Sequence, residues 1–191
     1  RFYVQDAVFD EFVTKFTAAA KKIRVGNGQE PSTQMGPLAN PRRLASMQRL
    51  ISDAVEKGAK LTTGGKRIGG AGLLWEPTVL IDVPETALIM NEEPFGPVAT
   101  ICRFSELDDA IASANRLPFG LGAYAFTSSM ARAHLLADSI ESGMVGINTY
   151  YFGMPEGPFG GVKQSGLGRE GSKFGIEEYL EMKYLCVDLS E

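Results

Sequence analysis

Cysteine, histidine and long apolar runs are scarce in this chain, and each scarcity closes off a class of function. The two cysteines, Cys102 and Cys186, stand far apart and outside any metal-type spacing. No disulfide framework is expected, and a reducing compartment such as the cytoplasm is the default. His134 is the only histidine. With no Cys/His cluster, no zinc site is expected and no metal ligand is assigned. A Ser-His-Asp triad has no nucleophile-elbow motif to support it. No apolar stretch approaches the roughly 20 residues that span a bilayer. An excess of basic residues is missing too. Nineteen Lys and Arg face 23 Asp and Glu, a net charge of −4, which argues against a nucleic-acid or anionic-membrane partner. The opening Arg1-Phe2-Tyr3-Val4 has no initiator Met and no signal-peptide layout. It reads like the interior of a longer chain.

What is present fits an ordinary globular domain. Hydrophobic residues make up 44% and charged residues 22% of the chain, enough apolar material for a core. Phe2–Val4 is a short aromatic and β-branched run, a strand candidate. Asp6 or Asp10 is positioned to cap a helix whose apolar residues, from Val8 to Ile23, repeat at helical spacing. Pro41 suits the first turn of a second helix, with Leu44, Met47, Leu50, Ile51, Ala54 and Val55 on one face and Gly58 as its cap. Lys60–Thr63, Pro77–Val83, Val98–Phe104, Gly122–Phe126 and Met144–Asn148 read as strands. Helices are expected from the capping-box sequence at Ser105 to about Asn115, and over Ala131–Ser139. Glu177–Leu189 is expected as a short helix followed by a strand. Helices alternating with short apolar strands predict an α/β fold, a largely parallel sheet flanked by helices. No linker divides the chain.

The generic motifs are weak. Gly166, Gly168 and Gly171 match G-x-G-x-x-G, but a dinucleotide fingerprint needs a strand before and a helix after. Here a loop precedes it, so a structural glycine-rich turn is expected. Cys102 lies in an apolar strand with Arg103 on the opposite face, and Cys186 in a similar run. Both are expected to be buried as small hydrophobes. His134 is expected on a solvated helix face.

Two loops are more informative. Glu92-Glu93-Pro94-Phe95-Gly96-Pro97 sets two carboxylates beside a rigid turn and an aromatic ring. A carboxylate can accept paired hydrogen bonds from adjacent hydroxyls, as on a ribose, and Phe95 offers a flat face to a planar ring. The same residues would also serve as a charged turn before a buried strand. In Pro158-Phe159-Gly160-Gly161, the glycines permit close backbone approach. Phe159 could wall a pocket or plug a core.

Taken in order, Gly36-Pro37-Leu38, Glu92–Pro97, Phe119-Gly120-Leu121, Val145–Asn148 and Pro158–Glu170 resemble the aldehyde dehydrogenase superfamily across nearly the whole chain. The ending Gly175–Leu185 is similar to the succinate-semialdehyde dehydrogenase branch. The resemblance implies an NAD- or NADP-dependent oxidation of an aldehyde to a carboxylate. A cysteine thiolate attacks the carbonyl, hydride leaves to the nicotinamide, and a glutamate-activated water hydrolyses the thioester. It places the cysteine, the base and the nucleotide-binding domain upstream of Arg1, so no catalytic residue is assigned here and the isolated chain is expected to be inactive. Glu93 is implied to bind the nicotinamide ribose and Phe95 to pack near the nicotinamide ring. Phe152 and Gly153 are implied at the far end of the aldehyde tunnel, and Phe159 near the reacting carbon. Residues 1–183 would be a catalytic-domain portion. Residues 184–191 would be a strand added to a neighbouring subunit's sheet in a homo-dimer or homo-tetramer. Gly153 departs from the branch, which typically has serine there for a distal carboxylate. That points to a bulkier or more aromatic aldehyde. A binding or assembly module derived from the fold, and a related semialdehyde enzyme transferring an acyl group to CoA or phosphate, are the competing readings.

Overall fold

The computed structural model describes residues 1–70 and 72–190. They form two compact units, Arg1–Asp109 and Ala110–Glu191.

The first unit is built on a four-stranded sheet. Its strands are β1 (Phe2–Gln5), β2 (Lys60–Thr63), β3 (Thr78–Ile81) and β4 (Val98–Phe104), in spatial order β1-β4-β3-β2. The pairs β1/β4 and β3/β4 are parallel, and β2 is an antiparallel edge strand. The largely parallel sheet expected from the alternation is present, with one antiparallel margin. Helices α1 (Asp6–Lys21) and α2 (Pro41–Glu56) cover its two faces. Side chains alternate across a strand, and the packing follows that period. Val79, Ile81 and Ile101 pack with Phe9 and the Phe2, Phe12 and Phe16 rings beneath α1. Leu80, Val98 and Cys102 pack with Met47, Leu50, Ile51 and Ala54 beneath α2. A central strand buried on both faces needs apolar residues at every position, and Thr78–Ile81 is such a run apart from Thr78.

Two helix starts differ from expectation. Gln5 is the N-cap of α1 and makes no side-chain cap bond. Asp6 and Asp10, expected as caps, have other partners. Asp6 accepts from the Ser105 hydroxyl at 2.5 Å, and Asp10 from Arg103 at 2.7 Å. Both tie α1 to the end of β4. Helix α3 (Leu107–Asn115) starts two residues after Ser105. The start of α2 is as expected. The Asn40 side chain accepts from the Arg43 amide at 3.1 Å, Pro41 takes the first position, and Gly58 follows the end at φ 105°.

The second unit begins inside α3. It contains β5 (Phe119–Gly120), β6 (Gly122–Ala125), α4 (Met130–Ser139), β7 (Met144–Ile147) and β8 (Val162–Lys163). Strands β6 and β7 pair in parallel, and β5 and β8 antiparallel. A 3-10 helix at Gly175–Tyr179 stands where a short helix was expected near Glu177. Leu180–Ser190 carries no regular structure and is exposed throughout. The expected terminal strand is therefore not formed by the chain itself, since a strand needs a partner edge. The burial expected of Cys186 is corrected in the same way: the residue is exposed.

Candidate functional site

In the first unit, the loop Glu92–Pro97 follows a 3-10 helix, Leu88–Met90, whose Ile89 and Met90 are buried. The two adjacent carboxylates differ in their surroundings. Glu92 accepts two hydrogen bonds from the Arg49 guanidinium, at 3.2 and 2.5 Å. That clamp holds its carboxyl below the usual glutamate range. Glu93 is exposed and, among the described residues, makes no hydrogen bond or ion pair. All of its acceptor capacity faces outward.

Phe95 sits at φ 45°, in the left-handed region that aromatic residues rarely adopt. Its ring is 65% exposed, with the Arg43 guanidinium 5.5 Å from the ring centroid. Gly96 is required by packing, because a Cβ there would collide with the sulfur of Met47, a fully buried residue. The loop therefore stands directly on the α2 core. It also borders an open cavity of about 290 Å³, lined by Met35–Ala39, Trp75 and Phe95–Pro97. Two sequence motifs 56 positions apart, at Gly36–Leu38 and Glu92–Pro97, thus face one space. Its floor is firm: the Trp75 indole donates to Thr78 Oγ1 at 3.1 Å, and both residues are buried.

In the second unit, Phe152 belongs to an aromatic group. Its ring stacks on Tyr124, with centroids 4.6 Å apart and planes 10° apart. Tyr150 bridges Tyr124 and Phe126 at 5.3 and 4.9 Å. Glycines admit this stack, since a Cβ on Gly122 or Gly146 would lie 3.1–3.3 Å from the Phe152 ring. Gly153 is different. A Cβ there would meet only the Tyr151 ring, at 3.9 Å, so the glycine is not imposed by crowding.

Phe159 lies on a separate piece of backbone. Its amide and carbonyl pair with those of Glu170 at 2.8 and 2.7 Å, and its ring is 40% exposed. Phe159 is therefore not part of the buried core of this unit. The loop around it is tightly folded. A Cβ on Gly160 would lie 2.5 Å from the Gly168 carbonyl, and one on Gly161 would lie 2.7 Å from Ser165. Arg169 ties it with bonds to the carbonyls of Gly161 and Gly168 at 2.8 and 2.7 Å. Gly166, Gly168 and Gly171 all have positive φ; they lie between the two-residue β8 and the short 3-10 helix at Gly175–Tyr179, and no α-helix opens after Gly171. This is the structural turn expected of the glycine pattern.

The other candidates are plain. Cys102 is part-buried, and burial pushes its thiol up from the ordinary value. His134 is exposed on α4. Among the described residues, no group of three or more His, Cys, Asp and Glu could hold a metal ion, and no helix is long and apolar enough to cross a membrane. Sequence reasoning missed Arg43 and Arg49. Both lie on the polar side of α2, where charge reads as solvated surface, and only the fold brings the Glu92 loop to them.

The chain matches the aldehyde dehydrogenase family over residues 1–185. The chain belongs to the aldehyde dehydrogenase family. Among curated members, it is 50% identical over 189 residues to the glutarate-semialdehyde dehydrogenase of Pseudomonas putida, covering 99% of this chain and 39% of that one. It is 45% identical, with the same coverage of both chains, to the NADP(+) succinate-semialdehyde dehydrogenase of Escherichia coli. A crystal structure of an Escherichia coli NADP-dependent enzyme superposes with a TM-score of 0.95 at 45% identity, covering 99% of this chain and 39% of that one. The chain thus spans about two fifths of the length of these aldehyde dehydrogenase family relatives.

Proposed function

We propose that the chain is the cofactor-positioning and substrate-lining portion of an NAD(P)-dependent aldehyde dehydrogenase acting on a semialdehyde or a related bulkier aldehyde. The observation that carries this reading is the unequal pair at Glu92 and Glu93. One carboxylate is tied off by Arg49, and its neighbour is left as an exposed acceptor beside an exposed ring. Such a pair fits a nicotinamide riboside. The Glu93 carboxylate can accept from both vicinal ribose hydroxyls, and the Phe95 face can pack against the pyridine ring. The bound nicotinamide supplies the hydride acceptor for the oxidation.

The residues here orient and enclose. Phe95 accepts a left-handed backbone, and a strained residue held by its surroundings is common at functional sites. Phe159 walls the aldehyde near the reacting carbon. Phe152 and Gly153 shape the distal end, with the Tyr124, Phe126 and Tyr150 rings behind them. The cysteine nucleophile and the glutamate base are assigned upstream of Arg1, so the isolated chain gives no turnover. The similar relatives are named for glutarate and succinate semialdehydes. The space beside Gly153 suits a chain longer than the succinate one. The parent is assigned as a cytoplasmic homo-oligomer. Residues 184–191 serve as its added strand, in keeping with the exposed Tyr184, Leu185, Val187 and Leu189.

Glu93→Gln in the full-length parent tests the reading. The expected result is a cofactor KM raised about tenfold, on the scale of a charge-assisted hydrogen bond, with aldehyde KM nearly unchanged. Unaltered turnover and cofactor KM would remove Glu93 from the cofactor site.

A further inference from the structure

The charged residues of α2 that face the cofactor loop are spaced Arg49, Asp53, Lys57, one helical turn apart on one side of the helix. Each contacts the segment that leads into the loop. Lys57 Nζ donates to the Thr86 carbonyl at 2.9 Å. Asp53 accepts from the Leu88 amide at 2.7 Å, at the start of the 3-10 turn. Arg49 clamps Glu92 through both guanidinium nitrogens. The segment therefore runs antiparallel to α2, held at residues 86, 88 and 92. The rungs also support each other, since Lys57 pairs with Asp53 at 2.6 Å. Asn91 closes the strap by donating to the carbonyls of Glu85 and Ala87 at 2.7 and 2.8 Å. The last rung sits one residue before Glu93.

From this arrangement we infer that Arg49 is a positioning residue for the cofactor loop, fixing Glu93 by holding Glu92 at the end of an Arg49-Asp53-Lys57 ladder. A planar guanidinium donating two nitrogens to one carboxylate fixes direction as well as distance, which a lysine ammonium does not. With Glu92 held this way, rotation of the loop that would carry Glu93 elsewhere is blocked. Without the clamp, two equivalent adjacent carboxylates would compete for the same ligand hydroxyls. The inference rests on the assignment of Glu93 to the ribose.

The test compares Arg49→Met, Arg49→Lys, Glu92→Gln and Glu93→Gln in the full-length parent, reading cofactor KM, aldehyde KM, kcat and melting temperature. Arg49→Met is expected to raise cofactor KM about tenfold while aldehyde KM moves less than twofold. Arg49→Lys should fall between it and the wild type, because charge is kept and the fork is lost. Glu92→Gln should match Arg49→Met, and the swap Arg49→Glu with Glu92→Arg should recover most of the affinity. A raised cofactor KM in Glu93→Gln alone, with the Arg49 and Glu92 variants at wild-type values, overturns the ladder and leaves the Glu93 assignment standing. Lower melting temperatures with unchanged KM values also overturn it, since they mark a structural pair only. No effect of Glu93→Gln overturns the assignment and this inference together.

Discussion

Gly153 and Phe95 are opposite cases of a residue and its space. At Gly153 the surroundings would admit a side chain, and none is there. Gly153→Ser should fold normally and shift the preference of the parent toward a short semialdehyde with a distal carboxylate, by about tenfold in the ratio of kcat/KM values. A substrate panel on the variant checks this, and an unmoved ratio would detach position 153 from specificity. At Phe95 the backbone conformation disfavours the residue, yet a large ring is present and exposed. Some of this was legible in the sequence. The order of the glycine and proline motifs was enough to point at the loop. The sequence could not separate Glu92 from Glu93 on physical grounds, because adjacent carboxylates look alike until a partner 43 positions away engages one of them. Nor could it give the exposure of Phe159, since burial is a property of the fold.

At the scale of elements, α2 governs the loop from two sides. Its apolar face supplies Met47 beneath Gly96, and its polar face supplies the ladder. Gly96→Ala should destabilise by about 1–3 kcal/mol through overpacking, and Met47→Ala by about 2–5 kcal/mol through a cavity. The double variant should cost less than their sum, because the new methyl enters the space the thioether leaves. Denaturant titration of the three variants measures the coupling, and strict additivity would mean that the contact is relaxed elsewhere.

Asp53 adds a pH signature. Its carboxyl is held below the ordinary value, first by Lys57 and then by the Leu88 amide. A depressed folded pKa stabilises above the unfolded value, and the stabilisation disappears as pH falls through the folded one. From about pH 5 to below 3, the wild type should therefore lose more melting temperature than Asp53→Asn. Parallel melting curves for the two proteins would exclude the effect. The period-3.6 face of α2 and its Pro41 start were readable from the sequence, because both are local. The bond between Asp6 and Ser105 was not, because it joins side chains 99 positions apart.

For the whole molecule, the sheet of the first unit is in place without help, while the tail is not. Leu180, Met182, Leu185, Val187 and Leu189 are exposed, and among the described residues nothing covers them. Removing residues 184–191 from the parent should lower its assembly state, read by light scattering at micromolar concentration, and leave its secondary structure intact. An unchanged mass would take the oligomer contact away from this segment. The sequence was read as ending in a strand, and a strand without a partner edge is not formed.

The parallel pairing of β1 with β4 joins Phe2 to Ile101. During synthesis, at roughly 5–20 residues per second, β1 waits about 5–20 s for its partner to leave the ribosome. Over that interval its apolar side would be open to other nascent chains. The Phe2, Phe12 and Phe16 rings lie 5.1–6.3 Å apart and all belong to the first 16 residues. They can therefore close on one another before the sheet exists, so that this segment shields its own sticky face while β4 is still being made.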